Sequence, residues 1–302
     1  MNLHLNNELF YDIINVASET MMINPAIIEK DYYVTYLLKE LYLDEPNIIF
    51  KGGTSLSKCY KLTKRFSEDI DLAYDSNKKK MSGPQRKNLS CKVINTIKNC
   101  GFSLLNHEDI KSRRDYNQYQ IGYNSEYSIL SLKPHLLVET QVSIYSFPYE
   151  IMEADSLIYQ YLKNENYFDI IADYNLEPFR IKTQSLERTY IDKVFAICDY
   201  YLNSNLQGHS RHLYDLYKIH PFISFNKSFS DLINAVRLIR SSNKMCVSAR
   251  NESDISQIIK DIIKNDTYKK DYNEITKDLL YEDIGYEEVL GTLIEITNSG
   301  IF

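Results

Sequence analysis

The chain has 302 residues with a formal net charge of −6, of which 44% are hydrophobic and 25% are charged. These values are ordinary for a globular protein with a large core and one or two domains, and the acidic balance argues against a dedicated nucleic-acid coat protein. No apolar signal core and no run of 18 apolar residues is present, so we expect neither export nor a membrane span. The five cysteines are scattered and form no C-x-x-C pair, which argues against a zinc site or a disulfide framework and suits the reducing cytoplasm.

Charge is distributed unevenly along the chain. Residues 51–114 hold fifteen Lys and Arg against six Asp and Glu, whereas residues 251–302 hold five against twelve. One interpretation is a positive surface that receives a triphosphate or RNA near residues 51–114. The other is that the lysines at 78–80 form a solvated loop whose charge the acidic end merely balances.

The first elements are two predicted helices. Residues 8–20 have an amphipathic pattern, and Asn24-Pro25 opens a second, longer helix because Asn suits the cap and Pro the first helical position. The predicted apolar stripe of this second helix is Ile27, Ile28, Val34, Leu37, Leu38 and Leu41. On the simplest interpretation, the charged run at residues 29–31 lies on its solvated face.

The most informative stretch begins after this helix. Ile48 to Phe50 form a short apolar run that ends at Gly52-Gly53, followed by Thr54-Ser55. The order predicts a strand, a tight turn and a helix. Glycines let backbone approach a ligand closely, and the hydroxyls with the N–H groups of a helix start can hold phosphate oxygens. By itself, such a turn is also compatible with a purely structural role.

A paired-acid strand follows the turn. In a strand, alternate side chains share a face, so Asp69 and Asp71 point one way while Ile70 and Leu72 enter the core. Two neighbouring carboxylates can hold Mg²⁺ between nucleotide phosphates and the protein. Two solvated acids on a strand face would give the same local pattern. The stretch contains neither a P-loop nor a dinucleotide-binding fingerprint.

The remaining elements divide the chain in two. A polar loop over 75–84 is followed by a predicted helix from about 85 to 99. Strands are predicted at 102–105, 116–123 and 135–145. From about residue 183 the pattern is helical, first over Thr183–Asn203, then over His209–Phe222, and then at 229–249, 252–265, 268–281 and 286–298. We therefore expect an α+β domain over residues 1–175 and a helical domain over 176–302. His209 and His212 share a helix face without a third ligand in view, so we favour a plain polar face there over a metal site.

Taken together, the strand, the Gly-Gly-hydroxyl turn, the helix and the D-x-D strand resemble the signature of the nucleotidyltransferase superfamily, with the DNA polymerase β-like fold. The resemblance implies a mixed sheet with helices. It also implies a third metal ligand on the strand beside the D-x-D strand, where Glu139 fits, although Gln141 or a role for Glu139 as a simple surface residue are alternatives.

A more specific resemblance is to the AbiEii/AbiGii toxin family of bacterial nucleotidyltransferases. Three blocks carry it: IIEKDYYVTYLLKEL from Ile27 to Leu41, FKGGTSLSKCYKLTKRFSEDIDL from Phe50 to Leu72, and the later pair ERTYIDKVFA and RHLYDLYKI. Members of this family are toxins of toxin–antitoxin or abortive-infection modules. They use NTP and a divalent metal, and some add nucleotides to the 3′ end of tRNA.

The family resemblance implies roles for individual residues. Asp69 and Asp71 match the metal-binding carboxylates, and Lys193 and Asp215 match the later catalytic Lys and Asp, so that the helical domain would complete the site. The predicted nucleotide-binding residues are Lys51, Gly52, Gly53, Thr54, Ser55, Lys58 and Arg65. A structural ion pair between helices is the alternative for Lys193 and Asp215.

The resemblance thus predicts a metal-dependent nucleotidyltransferase toxin that uses Mg²⁺ or Mn²⁺. It would transfer a nucleotide from NTP to an RNA acceptor, the tRNA 3′ end being the expected one, and a cognate antitoxin would be its partner. Two other functions remain open from the sequence. One is a small-molecule nucleotidyltransferase of the aminoglycoside-resistance type, and the other is a nucleotide-binding module without turnover, against which the intact Asp69 and Asp71 argue.

Overall fold

The computed structural model describes residues 1–76, 79–111, 113–129, 132–143 and 145–302. The predicted strand at 135–145 and the predicted lysine loop at 78–80 therefore fall partly outside the described residues. The chain divides into two compact units. The first comprises Met1–Lys61 with Ser67–Thr183, and the second comprises Leu62–Phe66 with Gln184–Phe302.

The first unit contains a sheet, six α-helices and two short 3-10 helices among its described residues. The α-helices are α1 (Asn7–Met21), α2 (Pro25–Asp44), α3 (Gly52–Lys58), α4 (Gly83–Asn99), α5 (Leu157–Asn164) and α6 (Phe168–Asp173). The strands are β1 (Ile48–Lys51), β2 (Asp69–Tyr74), β3 (Ser103–Leu104), β4 (Tyr116–Gly122), β5 (Leu136–Gln141), β6 (Tyr149–Ala154) and β7 (Phe179–Gln184).

The seven strands form one mixed sheet in the order β3-β4-β5-β2-β1-β7-β6. The D-x-D strand β2 lies near the middle, antiparallel to β1 and parallel to β5. Its register places Asp71 opposite Lys51 on one side and opposite Glu139 on the other. The sheet therefore sets three sequence-predicted site residues in one row across adjacent strands.

Helix α2 packs its apolar stripe into the core of the first unit. It begins as predicted, with the Asn24 side chain accepting a hydrogen bond from the N–H of Ala26 and Pro25 in the first turn. Val34 and Leu37 on its apolar stripe are buried in the core of the first unit. The expectation of a solvated face at residues 29–31 was wrong, because Glu29 and Lys30 are fully buried.

The described elements of the second unit beyond β7 are helical. Its α-helices are α7 (Leu186–Leu202), α8 (Arg211–Ile219), α9 (Lys227–Ser241), α10 (Ile255–Lys264), α11 (Lys269–Asp271) and α12 (Tyr286–Ser299). Buried side chains of α7 and α8, such as Tyr190, Phe195 and Tyr214, belong to its interior. The stretch predicted as one helix over 268–281 is instead a succession of α-helix, a π-helical turn at Tyr272–Thr276 and a 3-10 turn.

The segment between the two predicted domains also differs from expectation. No helix or strand is predicted from the sequence between residue 145 and the helical pattern that begins near residue 183, whereas the structure has β6, α5, α6 and β7 in this segment. Strand β7 pairs in parallel with β1 through Phe50 and Thr183, so it extends the same sheet. Its six residues, FRIKTQ, are too short a pattern to distinguish from a linker without that pairing. Among the described residues, no helix combines the length and the apolar character that crossing a membrane requires.

Candidate functional site

The paired acids lie on one face of β2, as the alternation predicts. Ile70 and Leu72 are buried in the core, whereas Asp69 and Asp71 are partly exposed. The two carboxylates therefore share the accessible face of the central strand.

The Gly52 turn, where β1 ends at Lys51 and α3 begins at Gly52, approaches Asp71 very closely. Gly52 has a φ of 80°, and a Cβ atom built on it would lie 2.0 Å from Oδ2 of Asp71. Both facts favour glycine at this position, the first because L side chains rarely adopt this conformation and the second because any side chain would have to displace the Asp71 carboxylate. The positive φ thus falls on the first glycine of the pair, which is the first residue of α3, and Gly53 follows it in the helix.

Glu139 is held in place beside Asp71. Its Oε1 accepts hydrogen bonds from the hydroxyl of Tyr116, at 3.0 Å, and from Nε2 of Gln118, at 2.8 Å. Burial and the charge of Glu139 raise the pKa of Tyr116, so its hydroxyl remains a donor at neutral pH. The role of Glu139 as a third metal ligand stays a prediction.

The donor set suits a hard cation. Asp69 and Asp71 offer carboxylate oxygens, and a Mg²⁺ site commonly uses one or two carboxylates together with substrate phosphates. Among the residues that the structure describes, no group of three or more His, Cys, Asp or Glu side chains could hold a metal ion. The two acids beside the Gly52 turn suit a cation that a triphosphate helps to hold.

The hydroxyls of the turn are used inside the protein. Thr54 donates to the main-chain oxygen of Asp69 at 2.6 Å, and its hydroxyl also lies 2.8 Å from that of Ser67. Ser55 donates to the main-chain oxygen of Gly52 at 2.8 Å. Both residues are buried. These bonds tie the turn to the start of β2, and contact of either hydroxyl with phosphate stays a prediction.

Lys58, at the end of α3, is a buried partner of α2. Its Nζ lies 2.5 Å from Oδ1 of Asp31 and 2.6 Å from the hydroxyl of Thr35, and the residue is 3% exposed. The other carboxylate oxygen of Asp31 accepts from the N–H of Leu157 at 2.7 Å. This network fixes α3 against α2, and nucleotide contact by Lys58 stays a prediction.

A second network connects α2 with the acids of β2. The fully buried Lys30 pairs with Glu68 and donates to the main-chain oxygen of Lys133 at 2.5 Å. The ammonium of Lys133 lies 2.8 Å from Oδ1 of Asp69 and 3.8 Å from Oε1 of Glu68. Sequence reasoning missed these partners. The available signal was the position of Lys30, three residues after Ile27 and four before Val34, which places it on the apolar stripe.

Glu29, the first residue of the charged run at 29–31, also has hydrogen-bond partners. It accepts hydrogen bonds from the hydroxyl of Ser125 and from the N–H of Glu126, the latter at 3.2 Å. Burial raises the pKa of Glu29 in spite of these bonds. All three charged residues of the run at 29–31 thus have structural partners.

Within the second unit, Arg65, Lys193 and Asp215 form a buried ionic cluster. Arg65 donates to both carboxylate oxygens of Asp215, from Nε at 2.7 Å and from Nη2 at 2.8 Å. Nζ of Lys193 lies 2.5 Å from Oδ2 of the same carboxylate. Asp215 is fully buried, and its two partners are at most 5% exposed. The structure thus brings together the predicted Lys193 and Asp215 with Arg65, for which only nucleotide binding was expected.

The charges of this cluster set its ionisation. Burial by itself would raise the pKa of Asp215, but Arg65 and Lys193 outweigh it and hold that pKa well below its usual range. Burial lowers the pKa of Lys193, as does the charge of Arg65, while Asp215 opposes both. The cluster therefore holds one carboxylate between two cationic side chains.

Two histidines of the second unit, His209 and His212, stack with a tyrosine. The rings of Tyr200 and His209 are 3.4 Å apart between centroids and 7° from parallel, and the nearly parallel ring of His212 lies 5.7 Å from Tyr200 and 6.1 Å from His209. Burial lowers the pKa of His212 well below its usual value, and the charges of Lys193 and Arg211 lower it further, so the ring is neutral at pH 7. The stacked rings form an aromatic cluster in place of the plain polar face that we expected.

Comparison with known proteins identifies the family. Residues 36–291 match the family described as "Nucleotidyl transferase AbiEii toxin, Type IV TA system". The match includes the glycine turn, the D-x-D strand and the helices of Lys193 and Asp215, but only the end of the first family-like block. A comparison with curated proteins finds no match. Because the matched residues cover most of the chain and contain both the D-x-D strand and the glycine turn, the chain belongs to the AbiEii family of nucleotidyl transferase toxins of type IV toxin–antitoxin systems.

Proposed function

We propose that this protein transfers a nucleotide from NTP to an RNA acceptor, the 3′ end of tRNA being the expected site, and that a cognate antitoxin restrains it. The observation that carries the proposal is the placement of Asp69 and Asp71 on one accessible face of β2, with the Gly52 turn packed against Asp71. This is the arrangement that a metal-bound triphosphate requires.

The chemistry is a substitution at the α-phosphorus of the NTP. The hydroxyl oxygen of the acceptor forms a new bond to this phosphorus and gives up its proton to solvent. The bond between this phosphorus and the oxygen that bridges it to the β-phosphate breaks, and pyrophosphate leaves with the electron pair of that bond. Asp69 and Asp71 would hold Mg²⁺, which stabilises the charge that develops on the attacking and leaving oxygens. Glu139 is oriented by Tyr116 and Gln118 beside Asp71, so it adds negative charge to the same row.

The Gly52 turn contributes to the proposed site through the position of its backbone. Because position 52 carries no side chain, the backbone at Gly52, where α3 begins, lies directly against the Asp71 carboxylate. We infer that the backbone N–H groups that follow Gly52 receive phosphate oxygens of the NTP while Asp71 holds the metal. The hydroxyls of Thr54 and Ser55 keep the turn in shape through their internal bonds.

Two features support RNA as the acceptor. The family consists of toxins of type IV toxin–antitoxin systems, and residues 51–114, which contain the turn and the D-x-D strand, carry an excess of nine positive charges. A polyanionic acceptor is favoured by such an excess, whereas a cationic aminoglycoside is not.

The test is a labelling experiment. The protein is incubated with each α-³²P-labelled NTP, Mg²⁺ and total cellular RNA, and the products are separated on a denaturing gel. We expect label in the tRNA size range, and we expect this label to be lost when the 3′-terminal hydroxyl is removed by periodate oxidation. The variants Asp69→Asn and Asp71→Asn serve as inactive controls.

The outcomes separate the alternatives. Label in a small-molecule fraction from a cell extract, with none in RNA, would replace RNA by a small-molecule acceptor. NTP binding without any labelled product, in the presence of extract and RNA, would indicate a nucleotide-binding module without turnover. Label in RNA at a position other than the 3′ end would retain RNA as acceptor and overturn the proposed site of addition.

A further inference from the structure

We propose that Lys133 is the resident counter-ion of Asp69 and that a divalent cation must displace its ammonium to bind at the paired acids. The inference rests on the proposed function, because it takes Asp69 as a ligand of that cation. It adds to the proposed site Lys133, a residue that lies outside all of the family-like blocks.

The first support is the contact itself. Nζ of Lys133 lies 2.8 Å from Oδ1 of Asp69, a charge-assisted hydrogen bond to an oxygen that a metal would also use. The Lys133 side chain is 40% exposed and that of Asp69 is 16% exposed. The ammonium therefore covers the carboxylate from the solvent side and can move away from it.

The second support is the anchoring of the Lys133 backbone. Lys30, which is fully buried, donates to the main-chain oxygen of Lys133 at 2.5 Å and pairs with Glu68 through the same ammonium. Because Glu68 directly precedes Asp69, one buried cation fixes both the backbone of Lys133 and the start of β2. A buried contact thus fixes the backbone position from which the Lys133 side chain reaches Asp69.

The third support is the alternation of charge. Lys30, Glu68, Lys133 and Asp69 follow one another as cation, anion, cation and anion, with Lys133 between the two acids. This arrangement compensates Asp69 fully with protein charge. A divalent cation that arrives at Asp69 and Asp71 is repelled by the ammonium until the lysine side chain turns outward, so the ammonium and the metal compete for the same oxygen.

The test measures metal binding without turnover. Mn²⁺ is titrated into wild type, Lys133→Met, Lys133→Gln and Lys133→Arg, and free Mn²⁺ is read by electron paramagnetic resonance. We expect Lys133→Met and Lys133→Gln to bind Mn²⁺ about two- to fivefold more tightly, the range expected for loss of a partly exposed ion pair. Lys133→Arg retains the charge and should bind like wild type.

A matched control separates this effect from a general loss of positive charge. Lys92 is 34% exposed and pairs with Glu45 at 3.0 Å, so Lys92→Met removes a comparable ion pair from a different acid. It should leave Mn²⁺ affinity unchanged. Thermal melts of all variants confirm that each is folded at the titration temperature.

A double-mutant cycle shows whether the effect passes through Asp69. If the ammonium competes at this carboxylate, Lys133→Met should tighten Mn²⁺ binding in wild type and have no effect in the Asp69→Asn background. Unchanged or weaker binding by Lys133→Met, with weaker binding by Asp69→Asn, overturns the counter-ion inference and leaves the metal assignment intact. Unchanged binding by both Asp69→Asn and Asp71→Asn overturns the metal assignment and this inference with it.

Discussion

Gly52 and Asp71 are in such close contact that the carboxylate occupies the space of a side chain at position 52. A Cβ atom there would lie 2.0 Å from Oδ2 and 3.0 Å from Cγ of Asp71, and the backbone at Gly52 has a φ of 80°. The contact joins the Gly52 turn, at the start of α3, to the central strand β2. A change at Gly52 must therefore move the turn, the carboxylate or both.

We expect Gly52→Ala to lower nucleotide transfer at least tenfold, because the new methyl group displaces the Asp71 carboxylate, which is a metal ligand in the proposed function. Gly101→Ala is a matched control, since Gly101 has a φ of 78° but no atom within 4 Å of its would-be Cβ. Both variants should lose about 1–2 kcal/mol of stability from the strained backbone. Equal transfer rates for the two folded variants would show that the contact has no role in the reaction.

Asp69→Asn and Asp71→Asn should each abolish measurable RNA labelling while the protein stays folded. The substitution keeps the side-chain volume and removes the negative charge that holds a cation. Asp75→Asn is the control, because Asp75 follows the same strand but pairs with Lys182 at 3.0 Å and Tyr149 at 2.8 Å. Labelling and thermal melts are compared for the three variants, and wild-type labelling by either of the first two would contradict the metal assignment.

Lys58→Met should destabilise the protein by about 3–5 kcal/mol, because it leaves the Asp31 carboxylate without its buried cationic partner. Asp31→Asn should do the same from the other side, and the double variant should lose less than the sum, with a coupling of about 1–3 kcal/mol. Urea unfolding of the four proteins measures this cycle. Additive losses, together with weaker NTP binding by the folded Lys58→Met variant, would instead assign Lys58 to the nucleotide.

Substitutions of Asp215 and Lys193 in the ionic cluster of the second unit should have unequal effects on stability and on nucleotide transfer. Asp215→Ala leaves both Arg65 and Lys193 buried without their shared carboxylate, so we expect a loss of several kcal/mol and poor folding. Lys193→Ala leaves Arg65 on both oxygens of Asp215 and should cost clearly less. We expect folded Lys193→Ala to lose transfer by about 10²-fold, as for the loss of one preorganised charge. A folded, fully active Lys193→Ala would make the cluster purely structural.

The cluster also predicts acid sensitivity. The pKa of Asp215 lies below its unfolded value of about 3.9, so its ionisation stabilises the fold above about pH 4, and this contribution is lost as the pH falls below that value. In Lys193→Met the pKa is lowered less, because one of the two cations that lower it is absent. Both proteins should lose stability as the pH falls below about 4, but the loss should level off at a higher pH in Lys193→Met than in wild type. Urea midpoints from pH 6 down to about pH 1 measure this difference, and curves that stay parallel over the whole range would contradict the prediction.

Some of the site could be predicted from the sequence because its signals are local. The alternation of Asp69, Ile70, Asp71 and Leu72 determines which side chains share a face of a strand, and the paired glycines after an apolar run indicate the turn. The cap at Asn24 and the helices of Lys193 and Asp215 follow from equally short patterns. Such features depend on neighbours within a few residues, and the structure has them where the sequence placed them.

The partners of the charged residues could not be predicted in this way. Arg65 and Asp215 are 150 residues apart in sequence, and Lys30 reaches the backbone of a residue 103 positions later. Whether a lysine is solvated or buried depends on which acid the fold brings to it, because a buried charge is tolerated only with a partner. The sequence by itself determined the glycine turn, the paired-acid strand and the family. Only the tertiary structure decided that Lys58 and Arg65 are buried in ion pairs, that Glu29, Lys30 and Asp31 anchor the first unit, and that Lys133 lies on Asp69.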